Sequence, residues 1–274
     1  MAIRDTLVHR WFKVPYALHI HTDQHGKNSK ATVLFIHGIG NSGAAWKEVT
    51  HRLPDHIRVI SIDLLGFGDS KRPPWAVYSV KTQARSVLAT LFKLRITHPI
   101  IIVGHSLGAL VAVEIAKRYP LLVRSLILCS PPFYQIDEEK RRLIPRSDNA
   151  LREIYMLAHK HPEQFLRIST LAARLGLVNK AFNLTTDNVS TYMNALESSI
   201  INQTSLKDAM KLALPIQIIN GRLDPVVVGK NLRNLKKANA NVSLASILAS
   251  HEIKGPIYIN AVISAVLSSL EKRH

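Results

Sequence analysis

The sequence predicts an α/β protein with a mostly parallel central sheet, helices on both faces of the sheet and an inserted helical cap. Three observations predict this class: short apolar runs recur along the chain, segments with helical periodicity separate them, and one interval is far longer than a crossover requires. Of the 274 residues, 47% are hydrophobic and 20% charged, a composition typical of a globular protein with a sizeable core.

Six apolar runs are the predicted strands of the sheet. They are rich in Val, Ile and Leu and lack polar alternation, which suits strands that are covered on both faces. They are TVLFIH (32–37), IRVISI (57–62), PIIIVG (99–104), RSLILC (124–129), PIQIIN (215–220) and VSLASIL (242–248). Upstream of them, we expect RWFKVPYALHIHT (10–22) to begin the sheet with antiparallel strands.

Helical patterns lie between these strands. Apolar residues from Val80 to Leu94 recur at spacings of three and four, and LGALVAVEIAKRYP after the third run is helical until Pro120 ends it. This alternation of strand and helix implies a parallel sheet.

The interval between Pro131 and Leu214 contains only helix-like patterns, such as NALREIYMLAHK, PEQFLRISTLAARLG and DNVSTYMNALESSI. We therefore expect residues 131–213 to form a helical cap over the carboxyl ends of the strands. Residues 1–130 and 214–274 would then form the core domain.

The third predicted strand is followed by Gly-His-Ser-Leu-Gly (104–108), which opens a helix. A G-x-S-x-G pattern between a strand and a helix predicts a cramped turn that holds the serine hydroxyl clear of the sheet. Ser106 would also lie at a helix N-terminus, where free N–H groups favour developing negative charge. A serine that merely caps the helix is the structural alternative.

A nucleophilic serine needs a base, and the base needs an orienting group. Asp224 follows the fifth predicted strand in Gly-Arg-Leu-Asp-Pro, and His251 follows the sixth in Ala-Ser-His. Because the carboxyl ends of parallel strands lie at one edge of a sheet, we expect Ser106, Asp224 and His251 to converge there.

With these motifs the sequence resembles the α/β-hydrolase family, in which nucleophile, acid and histidine follow in this order. Two further motifs carry the resemblance: Phe-Ile-His-Gly-Ile-Gly (35–40), similar to the family's oxyanion loop, and Asp-Leu-Leu-Gly-Phe-Gly-Asp-Ser (63–70), which matches its D-x-x-G-x-G-x-S stretch.

The resemblance implies roles for five residues. Ser106 would attack an acyl carbonyl, His251 would take and return its proton, and Asp224 would hold the imidazole. The backbone N–H groups of Ile39 and Leu107 would bind the oxyanion.

Other polar residues near these motifs have structural interpretations. We expect Asp63 and Asp69 to bond to the backbone of their glycine-rich turns. His37 and His105 would serve loop packing and hydrogen bonding.

The resemblance also narrows the reaction. Haloalkane dehalogenases and epoxide hydrolases of this family resemble one another in using an aspartate where this chain has Ser106. We therefore expect a serine carboxylesterase for small to medium apolar acyl groups. Lactone, thioester or amide hydrolysis, a binding or signalling protein with slow hydrolysis, and cofactor-free haloperoxidase or perhydrolase chemistry stay open. Candidate residues of the acyl pocket are Trp46, Phe133, Tyr134, Met156 and Leu175.

The net charge is +17, from 36 Lys and Arg against 19 Asp and Glu. The basic residues are scattered and no nucleic-acid motif accompanies them, so we expect no nucleic-acid partner. The sequence shows no apolar stretch long enough to span a membrane and no secretory signal, which favours a cytoplasmic monomer or homodimer.

No cofactor is expected. The histidines of LHIHTDQH (His19, His21 and His25) would lie on an exposed hairpin, and no carboxylate or cysteine pattern completes a metal site there. The single cysteine, Cys129, sits in a predicted strand and is interpreted as a buried structural thiol.

Overall fold

The computed structural model describes residues 6–25, 29, 31–134, 136–137, 142–143, 157, 160–175, 178, 182–201 and 203–271. Seven strands form the central sheet in the order β1-β3-β2-β4-β5-β8-β9. They are β1 (Ile20–Gln24), β2 (Ala31–Ile36), β3 (Ile57–Ile62), β4 (Ile100–His105), β5 (Val123–Cys129), β8 (Ile216–Gly221) and β9 (Val242–Ile247). A separate two-stranded ladder joins β6 (Ile136–Asp137) to β7 (Arg142–Leu143).

The helices lie between these strands and in the long interval before β8. They are α1 (Lys47–Thr50), α2 (Val80–Lys93), α3 (Leu107–Arg118), α4 (Pro162–Arg174), α5 (Val189–Ala195), α6 (Ser205–Ala209), α7 (Gly229–Ala238) and α8 (Gly255–Glu271). Short 3₁₀ turns precede α1 and β5, at Gly43–Trp46 and Pro120–Leu122, and a π-helical turn, Leu196–Ile201, continues α5. Among the residues that the structure describes, none forms a helix with the length and apolarity needed to cross a bilayer.

The predicted fold class is confirmed. All six predicted strands are present, with boundaries that differ by about one residue, and every pair among them is parallel. The register aligns their carboxyl ends: Gly104 of β4 pairs with Ile36 of β2 and with Leu128 of β5. The loops that leave these strands therefore start from one edge of the sheet.

The sheet separates two apolar clusters, which explains why its strands lack polar alternation. Ile36 and Ile102 face the cluster that contains α2 and α3, whereas Val33 and Val103 face the cluster that contains α8. Cys129 is buried in the second cluster, as the sequence predicts.

The N-terminal prediction is confirmed in one respect, because the sheet begins with the antiparallel strand β1, but it is wrong for most of residues 10–22. Only the last three of these residues lie in a strand, β1, while Thr6–Trp11 forms a π-helical turn. Pro15 has no N–H to donate to a ladder, and Lys13 has a φ of 56°, so the chain cannot run as a strand there. The expected hairpin is also wrong, because β1 pairs antiparallel with β3 rather than with β2.

The long interval contains α4, α5 and α6, in agreement with its helix-like patterns, but also the short β6–β7 ladder, which these patterns do not predict. NALREIYMLAHK (149–160) lies outside the described residues except for Leu157 and Lys160. The described part contacts the core at several points: Asn183 donates its backbone N–H to Gly40, and Tyr78 donates its backbone N–H to the side chain of Asn194.

Candidate active site

Ser106 occupies a strained turn between β4 and α3. Its φ of 50° and ψ of −115° lie in a region that side-chain-bearing residues rarely adopt, and its backbone N–H donates to Cys129 on β5. Such backbone strain costs about 1–3 kcal/mol and persists only where the surroundings enforce it. The conformation is that of a serine held at the tip of a sharp strand-to-helix turn.

The two glycines of the turn are required by close backbone approach. A Cβ atom on Gly108 would lie 2.2 Å from the carbonyl oxygen of Ile36, and one on Gly104 would lie 2.4 Å from the carbonyl oxygen of Gly108. Both distances are far below van der Waals contact, so any side chain would push α3 away from the sheet. The G-x-S-x-G pattern thus has a steric basis here.

Asp224 and His251 are hydrogen-bonded to each other in the loops after β8 and β9. His251 Nδ1 lies 2.8 Å from Asp224 Oδ2. The other oxygen of Asp224 accepts the backbone N–H groups of Val226, at 2.8 Å, and Val227, at 3.2 Å. Since Nδ1 donates to the carboxylate, the lone pair of a neutral His251 ring is on Nε2.

The pKa values of this pair are shifted in opposite directions. Burial lowers the pKa of His251, but the hydrogen bond and charge of Asp224 outweigh it and leave the pKa above its ordinary value of 6.5. Burial raises the pKa of Asp224, and the contacts with His251, Val226 and Ser130 reverse this and hold it below 3.8. Asp224 is therefore ionised at neutral pH, although its side chain is fully buried.

His105 joins the turn of Ser106 to the loop of His251. Its Nε2 lies 3.0 Å from the backbone carbonyl oxygen of His251, and the centroids of the two rings are 5.0 Å apart. Burial, and after it the nearby charge of His251, lower the pKa of His105 to about 4. The ring is therefore neutral and donates from Nε2, in agreement with the structural role predicted for it.

Ser130 and Tyr258 extend the buried hydrogen-bond network behind Asp224, and sequence reasoning missed both. The hydroxyl of Ser130 hydrogen-bonds to Asp224 and helps to lower the pKa of that carboxyl. Tyr258 Oη lies 2.9 Å from Ser130 Oγ and 3.2 Å from the carbonyl oxygen of Ile219. Ser130 follows β5 directly with a φ of 46°, but neither residue belongs to a motif that would have pointed to it.

Ile39 and Leu107 lie on the two backbone segments that flank Ser106. Leu107 begins α3, so its N–H has no acceptor within the helix. Ile39 lies in the loop after β2, where Gly38 accepts from Asn41 and Gly40 accepts from Asn183, so both sides of Ile39 are held by hydrogen bonds.

His37 and Asp63 fix the loops beside this site. His37 Nδ1 donates to Gly38 and its Nε2 accepts from the backbone of Leu64, and burial lowers its pKa to about 4, so the ring is neutral. Asp63 accepts the backbone N–H groups of Gly43 and Asp69. The structural interpretation of His37 and Asp63 agrees with these contacts.

Within the part of the chain that the structure describes, one group of side chains could present metal ligands: His19, Asp63 and Asp69 have ligand atoms within 4.8 Å of one another. The sequence suggested no carboxylate partner for His19, yet its Nδ1 lies 2.9 Å from Asp63 Oδ2. Both oxygens of Asp63 already accept hydrogen bonds, from Gly43, Asp69 and His19. The group therefore works as a hydrogen-bonded brace of the turn.

The candidate pocket residues divide into three kinds. Trp46 is buried against Phe35 in the cluster of α8. Phe133 and Tyr134 are buried just beyond β5, and Leu175 is exposed. Met156 lies outside the described residues.

A parallel sheet with a serine at a strained strand–helix turn, joined through His105 to a buried aspartate–histidine pair, defines the α/β-hydrolase class. Residues 31–251 match the model of the alpha/beta hydrolase fold, and the chain belongs to that family. The match includes every predicted site residue.

The chain matches several curated proteins over part of its length. It is 37% identical over 112 residues to Lipase LipV of Mycobacterium tuberculosis, covering 41% of each protein. It is 33% identical over 118 residues to "Probable lysophospholipase BODYGUARD 2" of Arabidopsis thaliana, covering 40% of this chain and 24% of the relative. The matched segment thus spans less than half the length of these relatives.

Solved structures share the fold along nearly the whole chain. The enol-lactonase from Burkholderia xenovorans LB400 has a TM-score of 0.75 at 19% identity, covering 93% of this chain and 96% of the other. An esterase from Thermogutta terrifontis has a TM-score of 0.71 at 21% identity, covering 92% of both chains. These likenesses extend the fold beyond the segment shared with the curated relatives.

Proposed function

We propose that this chain is a serine hydrolase that cleaves carboxylic esters of small to medium apolar acyl groups through an acyl-enzyme intermediate. The observation that carries the proposal is the 2.8 Å hydrogen bond between Asp224 and His251, on loops that His105 links to the strained turn of Ser106. The lipase and lysophospholipase names of the relatives favour esters with an apolar acyl chain.

In the proposed mechanism, the hydroxyl oxygen of Ser106 attacks the ester carbonyl while His251 Nε2 takes the hydroxyl proton. Asp224 keeps the imidazole in the tautomer with a free Nε2 and stabilises the imidazolium. His251 then returns the proton to the leaving alcohol as the carbonyl reforms. Water, deprotonated by the same nitrogen, attacks the acyl-enzyme and releases the acid and Ser106.

The negative charge of each tetrahedral intermediate would be bound by the N–H groups of Leu107 and Ile39. Leu107 suits this role because its N–H lies at the start of α3, where the helix dipole favours negative charge. Ile39 suits it because hydrogen bonds hold both neighbouring glycine carbonyls. One such donor typically contributes about 3 kcal/mol to the stability of the transition state.

We further propose that residues 131–213 are a cap on a core domain of residues 1–130 and 214–274. Support comes from Phe182 and Asn183, which lie against the loop of Ile39: a Cβ atom on Gly40 would be 2.5 Å from the ring of Phe182. A cap in this position would roof the acyl group and select its length. The cytoplasmic location and the monomeric or homodimeric state stay predictions from the sequence.

Kinetics with nitrophenyl esters of increasing acyl length test the proposal. We expect hydrolysis by the wild type and a loss of about 10⁴-fold in turnover for Ser106→Ala. Ser264→Ala, on the exposed side of α8, is the matched control and should keep full activity. Equal activity of Ser106→Ala and wild type would overturn the mechanism.

A lactone and thioester panel separates the alternatives within the same mechanism. Turnover of lactones or thioesters with no turnover of open-chain esters would keep the roles of the residues but change the substrate class. Absence of turnover on the whole panel, with tight binding of a small ligand, would favour a binding protein instead.

A further inference from the structure

The N-terminal segment and α2 together present an exposed apolar surface. A cleft of about 230 Å³ between them is lined by Val14, Trp75 and Val77, among others. A shallower depression beside it is lined by Phe92 and Tyr119, and the two share Pro15 and Arg85, so they form one continuous surface. We call residues 11–14, 75–77, 85–93 and 119–121 the cationic apolar face.

Several apolar side chains of this face are among the most exposed of the described residues, while others, such as Val87 and Leu91, belong to the core beneath it. Trp11 is 73% exposed and Phe12 70%, and across the two depressions Phe92 is 85% and Leu121 91% exposed. Scattered exposed leucines are ordinary on a protein surface, but contiguous aromatic and aliphatic side chains mark an interaction site.

The same face carries only positive charge. No aspartate or glutamate occurs between Asp69 and Glu114, a stretch that includes all of α2. Lys13, Arg85 and Lys93 are exposed, and none of the ion pairs of the described residues involves any of them. Part of the net charge of +17 therefore lies beside the exposed aromatic residues.

We propose that the cationic apolar face docks on the surface of an anionic lipid bilayer. Trp and Phe side chains would enter the boundary between headgroups and acyl chains, while Lys and Arg contact anionic headgroups. This is peripheral binding, and it needs no helix that spans the membrane.

The chemistry of the face favours a bilayer over the other partners that a basic surface attracts. A second copy of this chain would place cations against cations, because the face offers no carboxylates. The phosphates of a nucleic acid could bind the basic side chains, and its bases could stack on the aromatic rings. The exposed aliphatic side chains of Val14, Val77 and Leu121, however, would make no favourable contact with it. A bilayer uses the cations, the rings and the aliphatic side chains together.

The face is held as a unit and reaches towards the proposed cap. Arg85 Nη2 donates to the backbone carbonyl of Lys13, which ties the N-terminal segment to α2. On the other side, the backbone of Tyr78 is bonded to Asn194 and to Ser199. Docking would bring residues 194–199 close to the lipid, where an ester with an apolar acyl chain would be found.

Co-sedimentation of the full chain with vesicles tests the proposal. We compare vesicles of phosphatidylcholine alone with vesicles of about three parts phosphatidylcholine to one part phosphatidylglycerol. We expect binding to the anionic vesicles that weakens with salt, and at least about tenfold weaker binding to the neutral ones. Binding to neither kind of vesicle would overturn the proposal.

Two face variants and a matched control locate the binding. We expect Trp11→Ser with Phe12→Ser, and separately Phe92→Ser with Lys93→Glu, to weaken binding about tenfold or more. The control is Ile257→Ser with Lys47→Glu, which changes an exposed aliphatic residue and a lysine on the opposite side of the sheet. Equal losses in the face variants and the control would overturn the assignment to this face.

Four further measurements keep the result unambiguous. Circular dichroism melts confirm that each variant is folded, and Ser106→Ala should bind vesicles like the wild type, so the docking result stands apart from the proposed hydrolysis. If vesicle binding is absent, two results would overturn the proposal in favour of another partner. One is a dimer, detected by light scattering, that dissociates in the face variants. The other is an oligonucleotide that the wild type retains and the face variants do not.

Discussion

His105 donates a hydrogen bond from Nε2 to the backbone carbonyl of His251 across 3.0 Å, and so joins the residue beside Ser106 to the loop that carries the imidazole. A carbonyl oxygen only accepts, so the proton of His105 is on Nε2. Because burial lowers its pKa to about 4, His105 does not become charged near neutral pH. It therefore acts as a positioning residue in the proposed site.

We expect His105→Leu to lower kcat about tenfold while KM stays nearly unchanged, because a misplaced imidazole slows chemistry more than binding. His105→Gln places an amide N–H at a similar distance from Cα and should recover most of the activity. Steady-state kinetics of the two variants check this. If the two variants lose the same amount of kcat, and the same amount of melting temperature, the hydrogen bond of His105 would have no role and the side chain would contribute by packing alone.

The pH dependence of kcat/KM should follow the ionisation of His251, since only the neutral ring accepts the proton of Ser106. Asp224 holds the pKa of His251 above 6.5, so wild-type activity should rise with pH through a midpoint above that value. In Asp224→Asn, burial still lowers the pKa of His251, but the carboxylate that raises it is gone. The midpoint should therefore fall, and the rate should be about 10⁴-fold lower. Single-turnover profiles measure both quantities.

The control for this experiment is Asp187→Asn, which removes an exposed carboxylate from residues 131–213 and should leave the profile unchanged. A midpoint that is the same in Asp224→Asn and in the wild type would contradict the assigned origin of the shift.

The parallel sheet could be predicted because each of its six parallel strands is buried on both faces and therefore has a continuous apolar sequence. Continuous apolar runs such as those of β4 and β5 are required by the two covered faces, so boundaries read from the sequence differ from the structure by about one residue. The antiparallel edge strand β1 could be expected from the sequence, but its bounds could not, because its polar residues carry no such pattern. Its partner, β3, is chosen by pairing across the sheet, which no local signal encodes.

The three proposed catalytic residues could be located from the sequence because each directly follows a predicted strand. The long-range contacts of the residues that support them could not, even where a residue such as His105 was expected to form hydrogen bonds. His105 reaches the carbonyl of a residue 146 positions away, and Tyr258 reaches Ser130 from 128 positions away. Such contacts depend on how α8 and the loops pack, and a tyrosine or serine outside a motif gives no sign of them.

The buried hydroxyl of Tyr258 should contribute measurably to stability. Ser130 uses its proton on Asp224, so its oxygen accepts from Tyr258, whose side chain is fully buried. Tyr258→Phe should lower the free energy of unfolding by about 1–3 kcal/mol, because it removes the single hydroxyl proton that the neighbouring oxygens of Ser130 and Ile219 share as their donor. Urea unfolding measures this, with Tyr119→Phe, at an exposed position, as the control. A loss no larger than that of the control would contradict the network.

Asp63 should make the protein acid-sensitive. Burial raises the pKa of this carboxyl, but the N–H groups of Gly43 and Asp69 outweigh it, with His37 and His19, so the pKa in the folded state lies below 3.8. A carboxyl with a depressed pKa contributes stability above its unfolded pKa, and this stability is lost as pH falls through the folded value.

Asp63→Asn should therefore destabilise the protein by about 1–3 kcal/mol at pH 7, since an amide satisfies the two backbone donors less well than a carboxylate. The difference from the wild type should shrink as the pH falls below about 4, because the wild type then loses the charge that the variant already lacks. Chemical unfolding at pH 7 and at about pH 3 measures both differences, and Asp69→Asn, at an exposed position, is the control. A difference between Asp63→Asn and wild type that stays constant with pH would show that the charge of Asp63 is not what stabilises this turn.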